Sequence, residues 1–360
     1  MPDPRKGPLP VTAETVRRAA QALKEGRLVA FPTETVYGLG ASALDPSAVV
    51  RIFEAKRRPA FDPLIVHTSD APSAFDLCSS VPPVARQLAE RYWPGPLTLV
   101  LPKTAVVPDV VTSGLPTVAV RVPAHPVALE LIRAFGGPVA APSANLFGYT
   151  SPTHAQAVLD DLGDRVDLVL DGGACSVGIE STVLLVEGQK GVLLRPGGIP
   201  VEELREFLPV EKASSTPLAP RSPGQLESHY APWTTLLLCE GGNAGVYRAA
   251  SALALSAAEE GRPRPRLGAL LFGPQPSDID DVLDAAENLS ETGDLRSAAT
   301  RLFAAIRALD KMNLDLLLAS TVPDTGIGGA INDRLIRASR RPSVPAAGTG
   351  TEPKDPIHGN

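Results

Sequence analysis

The stretch Leu28–Gly40, LVAFPTETVYGLG, decides how the N-terminal part of the chain is read. Leu28 to Phe31 is an apolar run of strand type, and Pro32 ends it because proline cannot donate to a sheet ladder. Thr33, Glu34 and Thr35 follow, then Val36 and Tyr37, then Gly38 and Gly40 around one leucine. A strand that stops in hydroxyls and a carboxylate, then crosses tight glycine-dependent backbone, delivers polar groups to the mouth of a sheet. Taken alone the pattern is that of an ordinary strand-to-loop junction. Further stretches shift the reading towards a binding site.

Outward from this segment, Thr12 to Glu25 reads as a helix with Thr12 as cap, an apolar face of Val16, Ala19, Ala20 and Leu23, and Gly26 at its stop. Asp45-Pro46 opens a second helix, which ends in Lys56-Arg57-Arg58-Pro59 before the strand Pro63–Thr68. Apolar strand segments recur at Leu97–Leu101, Val118–Val122, Val139–Ala141, Leu168–Leu170, Thr182–Val186 and Val192–Leu194. Helical patterns fall between several of them, around Val84–Tyr92, Val127–Phe135 and Thr153–Leu162. This predicts an α/β domain with a large mixed sheet over residues 1–208. Residues 209–233, rich in Ser, Thr, Pro and Ala at first and then in aromatics, read as a linker. Residues 234–340 alternate strand and helix, as a small parallel three-layer domain does, with strands at Leu236–Cys239, Leu267–Phe272 and Leu314–Ala319. Residues 341–360 read as a disordered tail.

Four stretches carry candidate chemistry. Lys56 and Arg58 stand at a seam between a helix end and a strand, where two cations suit a triphosphate or a carboxylate, although basic residues at a helix C-terminus also answer its dipole. In Ala119–Pro123, AVRVP, alternation sets Arg121 on the face opposite its flanking valines. A charge in such a strand needs a partner, either an internal acid or a carboxylate ligand. Ala140–Ser151, AAPSANLFGYTS, offers the hydroxyls of Ser143 and Ser151 where a helix begins, and Ser151 also suits a simple cap. Asp171–Thr182, DGGACSVGIEST, is a glycine-rich loop of the kind that covers ligands, and Arg195 ends the last strand beside two glycines.

The composition bounds the rest. The 360 residues are 44% apolar, enough for two cores, and the net charge of -6 excludes a surface that is one large nucleic-acid footprint. Three scattered cysteines and five histidines show no metal-ligand spacing, so no structural metal is expected. No apolar run approaches the ~18 residues of a membrane span, and no secretory signal is seen, so a cytoplasmic protein is expected. No P-loop, dinucleotide or nucleophile-elbow motif occurs.

The segments PTETVYGLG, KRRPAFDPLIVH, WPGPLTLVL, VRVPAHP, APSANLFG, SPTHAQAV, GIESTV and LLRPG, in this order over Val11–Pro209, resemble the threonylcarbamoyl-AMP synthase family of YrdC-like proteins. HYAP at His229–Pro232 and AINDRL at Ala330–Leu335 resemble the family's long, two-domain form. The resemblance implies a twisted YrdC-like fold around a concave basic cavity, plus a Rossmann-like C-terminal domain. It implies synthesis of threonylcarbamoyl-AMP and pyrophosphate from L-threonine, bicarbonate and ATP, with Mg2+ carried on the phosphates and few or no protein ligands to it. The product serves a separate transferase complex that modifies an adenosine of tRNAs reading codons that begin with A. By motif, Thr35, His67, Arg121, Ala141 and Ser181 correspond to the L-threonine pocket. Arg58, Asp62, Thr117, Ser143, Ser151, Arg195 and Tyr230 correspond to ATP contacts, and Lys56 with Arg58 to the pair over the reacting groups.

One departure stands out: PGQLESHYAP at Pro223–Pro232 lacks the basic and aromatic residues that precede HYAP in the family pattern PGMKYRHYAP. Two other functions fit parts of the same pattern. A non-catalytic YrdC-like module binding RNA or a nucleotide predicts salt-dependent tRNA binding without turnover. A carbamoyl-adenylate enzyme of hydrogenase maturation predicts a zinc-finger module for which the cysteines are too few.

Overall fold

The structure, a computed structural model, describes residues 7–213, 229–275 and 282–340. The expected tail and, over 214–228, the expected linker with its QLES departure lie outside the described residues.

The N-terminal part is built on β1 (Leu9–Pro10), β2 (Val29–Phe31), β3 (Gly38–Ser42), β4 (Ile65–His67), β5 (Leu97–Pro102), β6 (Thr117–Arg121), β7 (Val139–Ala140), β8 (Leu168–Asp171), β9 (Thr182–Glu187), β10 (Lys190–Arg195) and β11 (Val210–Lys212). They form one mixed sheet in the order β1-β8-β2-β3-β7-β4-β6-β5-β9-β10-β11. The helices are α1 (Ala13–Lys24), α2 (Pro46–Lys56), α3 (Ala71–Phe75), α4 (Pro83–Tyr92), α5 (Asp109–Thr112), α6 (Pro126–Phe135), α7 (Ala155–Leu162) and α8 (Val201–Leu204). Local sequence explains their starts. Thr12 and Thr15 cap α1 reciprocally, each hydroxyl accepting from the other's backbone N–H. Asp45 accepts from the amides of Ser47 and Ala48 at the head of α2, with Pro46 in its first turn.

Gly38 and Gly40 differ from expectation. They lie in the strand β3, antiparallel to β2, and the reversal is made by residues 32–37. Gly40 serves close packing: a Cβ there would stand 2.8 Å from the Phe31 ring and 2.9 Å from Val139.

Period-2 alternation divides the core between the two faces of the sheet. On one face Ala30, Leu39, Ala41, Val66, Val118, Val120 and Leu184 pack with residues of α2, α4 and α7. On the other, Val29, Phe31, Val139, Ala141 and Leu170 lie under α1 and α6. Across β4, β5, β6, β9 and β10 this second face continues as a smaller cluster, Ile65, Val100, Ala119, Val183, Leu185 and Leu194. The α1/α6 layer does not extend there, and the site opens beside this cluster.

The C-terminal part has four parallel strands, β12 (Thr235–Cys239), β13 (Leu267–Leu271), β14 (Ala285–Asn288) and β15 (Leu316–Ser320), in the order β12-β15-β13-β14. Helix α9 (Gly242–Glu259) packs on Leu267, Ala269, Leu271 and Leu318. On the opposite face α10 (Leu295–Asp310) and α11 (Gly328–Ser339) pack on Leu270, Leu317 and Ala319, giving three layers. Strand β14 is absent from the sequence reading because Ala-Ala-Glu-Asn has little strand propensity. No helix among the described residues is long and apolar enough to cross a membrane.

The two parts meet through buried charge. Arg307 of α10 donates to both oxygens of Asp161 at the end of α7. Arg334 of α11 pairs with Glu180 at 3.0 Å. Gly178, at φ +78, lies so close to α10 that a Cβ would stand 2.3 Å from Thr300 Cα.

Candidate functional site

A cleft lies where residues in or next to seven strands of this sheet converge. It is lined by Thr33, Thr35 and Val36 after β2, Gly38 at the start of β3, Ile65 and His67 of β4, Arg121 of β6, and Ala141, Pro142 and Ser143 after β7. Glu180 and Ser181 before β9, Arg195 of β10, Arg58, His229 and Tyr230 complete it. Parallel pairing of β4 with β6 sets His67 opposite Arg121, and Ala141 donates its N–H to Ile65. Residues far apart in sequence are thus fixed by ladder register.

Arg121 has the internal acid that its burial demands. Its Nη2 donates to Glu34 Oε1 at 2.7 Å, Nη1 to Thr35 Oγ1 at 3.0 Å, and Nε to the Gly95 carbonyl at 3.2 Å. Glu34 also accepts from the Ala124 amide at 3.0 Å. A guanidinium carries five N–H donors. Two on Arg121 remain uncommitted among the described residues, one on each terminal nitrogen, so an internal acid and a carboxylate ligand are compatible. His67 beside it is buried, with Nδ1 unpaired among the described residues. Burial, and then the Arg121 cation, pull its pKa down to about 3, so the ring is neutral near pH 7.

Two further arginines, Arg58 and Arg195, line the same cleft. Arg58 Nε donates to the Asp62 carbonyl and Nη2 to Pro63, and Nη2 lies 2.8 Å from Asp62 Oδ2. Burial raises the pKa of Asp62 against the opposing pull of Arg58. Arg195 donates through Nε and Nη2 to the Ser181 carbonyl and through Nη2 to Ser181 Oγ, which also meets Thr98 Oγ1 at 2.7 Å. Burial lowers the pKa of both arginines; a desolvated cation facing a cleft is an anion site.

His229 and Tyr230 cover the cleft. Tyr230 holds the left-handed conformation at φ 62, its ring is 5.5 Å from Phe303 of α10, and its hydroxyl is buried without a hydrogen bond among the described residues. Ala231 donates its N–H to Gly148, which ties the strap to the Ser143–Ser151 segment.

Nine of the residues singled out in the sequence meet in this cleft: Thr35, Arg58, His67, Arg121, Ala141, Ser143, Ser181, Arg195 and Tyr230. Four do not line it. Lys56 lies behind, with Nζ donating to the Ser143 and Asn145 carbonyls at 2.6 Å each. Burial, and then Arg58, hold its pKa well below the ordinary lysine value. Asp62 is buried beneath Arg58. Ser151 Oγ donates to Glu180 Oε1, its one side-chain partner among the described residues. Thr117 begins β6, where it pairs with Pro102 of β5. Sequence reasoning left Glu34, Glu180 and Arg334 without roles. The first two sit inside the quoted motifs; nothing local to Arg334 marks it.

Residues 21–197 match the Sua5/YciO/YrdC family model, described as telomere recombination, and residues 199–340 match the threonylcarbamoyl-AMP synthase C-terminal domain. The threonylcarbamoyl-AMP synthase of Pyrococcus abyssi is 44% identical over 330 residues, 90% of this chain and 94% of that protein. That of Bacillus subtilis is 42% identical over 329 residues, 90% of this chain and 92% of that protein. The crystal structure of P. abyssi Sua5 complexed with L-threonine superposes with a TM-score of 0.82 at 42% identity, covering 93% of this chain and 96% of that one.

Proposed function

The chain belongs to the threonylcarbamoyl-AMP synthase family, and from that premise we propose that its cleft is the synthase site, with an amino-acid side around Arg121 and a nucleotide side around Arg58 and Arg195. The enzyme is a transferase that joins L-threonine, bicarbonate and ATP into threonylcarbamoyl-AMP and pyrophosphate, for modification of tRNA. One observation carries the assignment of sides: Arg121 keeps one N–H on each terminal nitrogen for a ligand, beside a neutral His67, while Arg58 and Arg195 line the same cleft.

On this reading the L-threonine carboxylate takes the two remaining N–H groups of Arg121 as a bidentate pair. Thr35, His67, Ala141 and Ser181 enclose the rest of the amino acid. Its amine, unprotonated, adds to bicarbonate to give a carbamate with loss of water. A carbamate oxygen then attacks the α-phosphorus in line, and pyrophosphate leaves. Such a transfer asks the protein for positioning and charge neutralisation more than for covalent help, and positioning alone supplies about 7–11 kcal/mol in favourable cases. Arg58 and Arg195 meet the phosphates, with Ser143 beside them and Ser151 behind, on Glu180. Asp62 and Thr117 lie on the flank of Arg58, towards the nucleoside. Lys56 acts through the loop it holds, fixing Ser143 and Asn145.

Magnesium, carried on the ATP phosphates, would supply further neutralisation of their charge. No group of three or more metal-ligating side chains occurs among the described residues, and Glu180 and Asp62 are each paired with an arginine. The product passes to a separate tRNA-modifying transferase, and direct contact of this chain with tRNA is weak at most given its net charge of -6. The expected linker over 209–233 begins later than the sequence predicts, because β11 (Val210–Lys212) pairs with β10 in the first domain; the strap that bears Tyr230 leads into the second domain at β12.

Pyrophosphate release from ATP and bicarbonate, with L-threonine, L-serine or no amino acid, tests it. Release that requires threonine and bicarbonate and is lost in Arg121→Ala supports the reading. Threonine-independent tRNA binding without release would favour a non-catalytic module instead.

A further inference from the structure

Arg334 belongs to α11, in the C-terminal part, yet none of its surface is exposed, because its guanidinium is inserted into the N-terminal part. Nε donates to Glu180 Oε2 at 3.0 Å, and Nη1 donates to the Pro196 carbonyl at 2.6 Å and to Asp333 Oδ2 at 3.1 Å. The guanidinium carbon lies 5.2 Å from the centroid of the Tyr230 ring. The other oxygen of Glu180 accepts from Ser151. One side chain thus touches Glu180, the carbonyl next to Arg195, and Tyr230, all on the nucleotide side. It makes no such contact with Thr35, His67 or Arg121, which Glu34 and the β4–β6 ladder hold.

Burying such a pair gains little stability over an apolar contact of equal volume, so its placement calls for another explanation. Glu180 lines the cleft with Arg195 and Arg58. An unpaired carboxylate there would neutralise the cations that meet a triphosphate and would repel the phosphates themselves. We propose that Arg334 is a positioning residue through which the C-terminal domain sets the ATP side of the site, drawing Glu180 away from the phosphate-binding arginines and seating Tyr230. This rests on the synthase reading above.

The test uses the full chain, with ATP and L-threonine varied separately at saturating bicarbonate. Arg334→Gln is expected to raise KM for ATP about ten-fold and to leave KM for L-threonine within about two-fold. Adding Glu180→Gln to Arg334→Gln is expected to restore most of the ATP KM, since the uncompensated acid is gone. Unchanged kinetics, equal rises in both KM values, or no rescue by the second substitution would each overturn the proposal. If Arg334→Gln does not fold, Arg334→Lys, which keeps the charge but not the forked contact, is read by the same criteria. Failure of both to fold would make Arg334 a structural strut only. Absence of threonine-dependent release in the unsubstituted chain is a separate result, which removes the synthase reading and this inference with it.

Discussion

Arg121 and Glu34 meet across 2.7 Å at the wall of the cleft, both buried and 87 residues apart in the chain. The pair lets a cation wait in a low-dielectric site before any ligand arrives, and leaves donors to receive a carboxylate. Removal of one member exposes the balance.

Glu34→Gln leaves Arg121 buried without its acid, at an expected cost of about 3–5 kcal/mol. L-threonine, bringing a carboxylate, should then raise the melting temperature of the variant more than that of the unsubstituted chain. Thermal scans with and without L-threonine decide this; an equal shift in both would count against the carboxylate binding at Arg121. Arg121→Ala should lose the threonine shift altogether.

Lys56→Met removes the ammonium that ties the Ser143 and Asn145 carbonyls. Leaving these acceptors unsatisfied should cost roughly 1–3 kcal/mol in urea unfolding. Displacement of the Ser143 loop should cut pyrophosphate release about 100-fold. Activity within a few-fold of the unsubstituted chain would show that the loop holds its place without Lys56.

Tyr230→Ala opens the cover of the cleft and removes the ring packed against Phe303 and Arg334. We expect ATP binding to weaken about ten-fold, for the loss of aromatic contact. Calorimetric titration of ATP reads it, and unchanged affinity would sink the assignment of Tyr230 to the nucleotide side.

His67 gives a pH dependence of defined sign. Its folded-state pKa is about 3, against an ordinary value of 6.5, so between these the unfolded chain takes up a proton that the folded chain refuses. Its contribution to stability is therefore complete above pH 6.5 and is lost as pH falls towards 3. Urea midpoints measured from about pH 4 to pH 7 should rise less steeply in His67→Gln than in the unsubstituted chain. Parallel slopes would mean that His67 titrates normally. Because the ring stays neutral, no limb of the activity profile near pH 6.5 should belong to it.

Gly178→Ala forces a methyl against the backbone of Thr300 at a left-handed position. Overpacking of this kind costs ~1–3 kcal/mol. Since the clash lies between the two parts of the chain, calorimetry should show a lowered melting temperature or two resolved transitions. A scan superimposable on that of the unsubstituted protein would mean that the interface yields freely there.

Much of this was legible locally. Thr12 and Asp45 announce their helices because a cap needs only the next few amides. Alternation set Arg121 apart from Val120 and Val122, since strand faces repeat every second residue. Other features were not. Gly38 and Gly40 suggested a turn, but they lie in a strand, because the need for glycine came from Phe31 and Val139 across the sheet. Lys56 looked like a cation facing substrate, whereas its Nζ is engaged by two carbonyls 87 and 89 residues later.

The amino-acid sequence by itself determined the capped helices, the alternating strands and the ordered motifs that identify the family, because each depends on neighbours within a few residues. Only the tertiary structure decided that Glu34 answers Arg121, that Lys56 faces a loop, and that Arg334 reaches Glu180 from 154 residues away. Those pairings depend on strand order and on how α11 docks against the sheet. Such contacts form where the packing of whole layers brings side chains together, and no local pattern encodes which distant charge will be buried beside which.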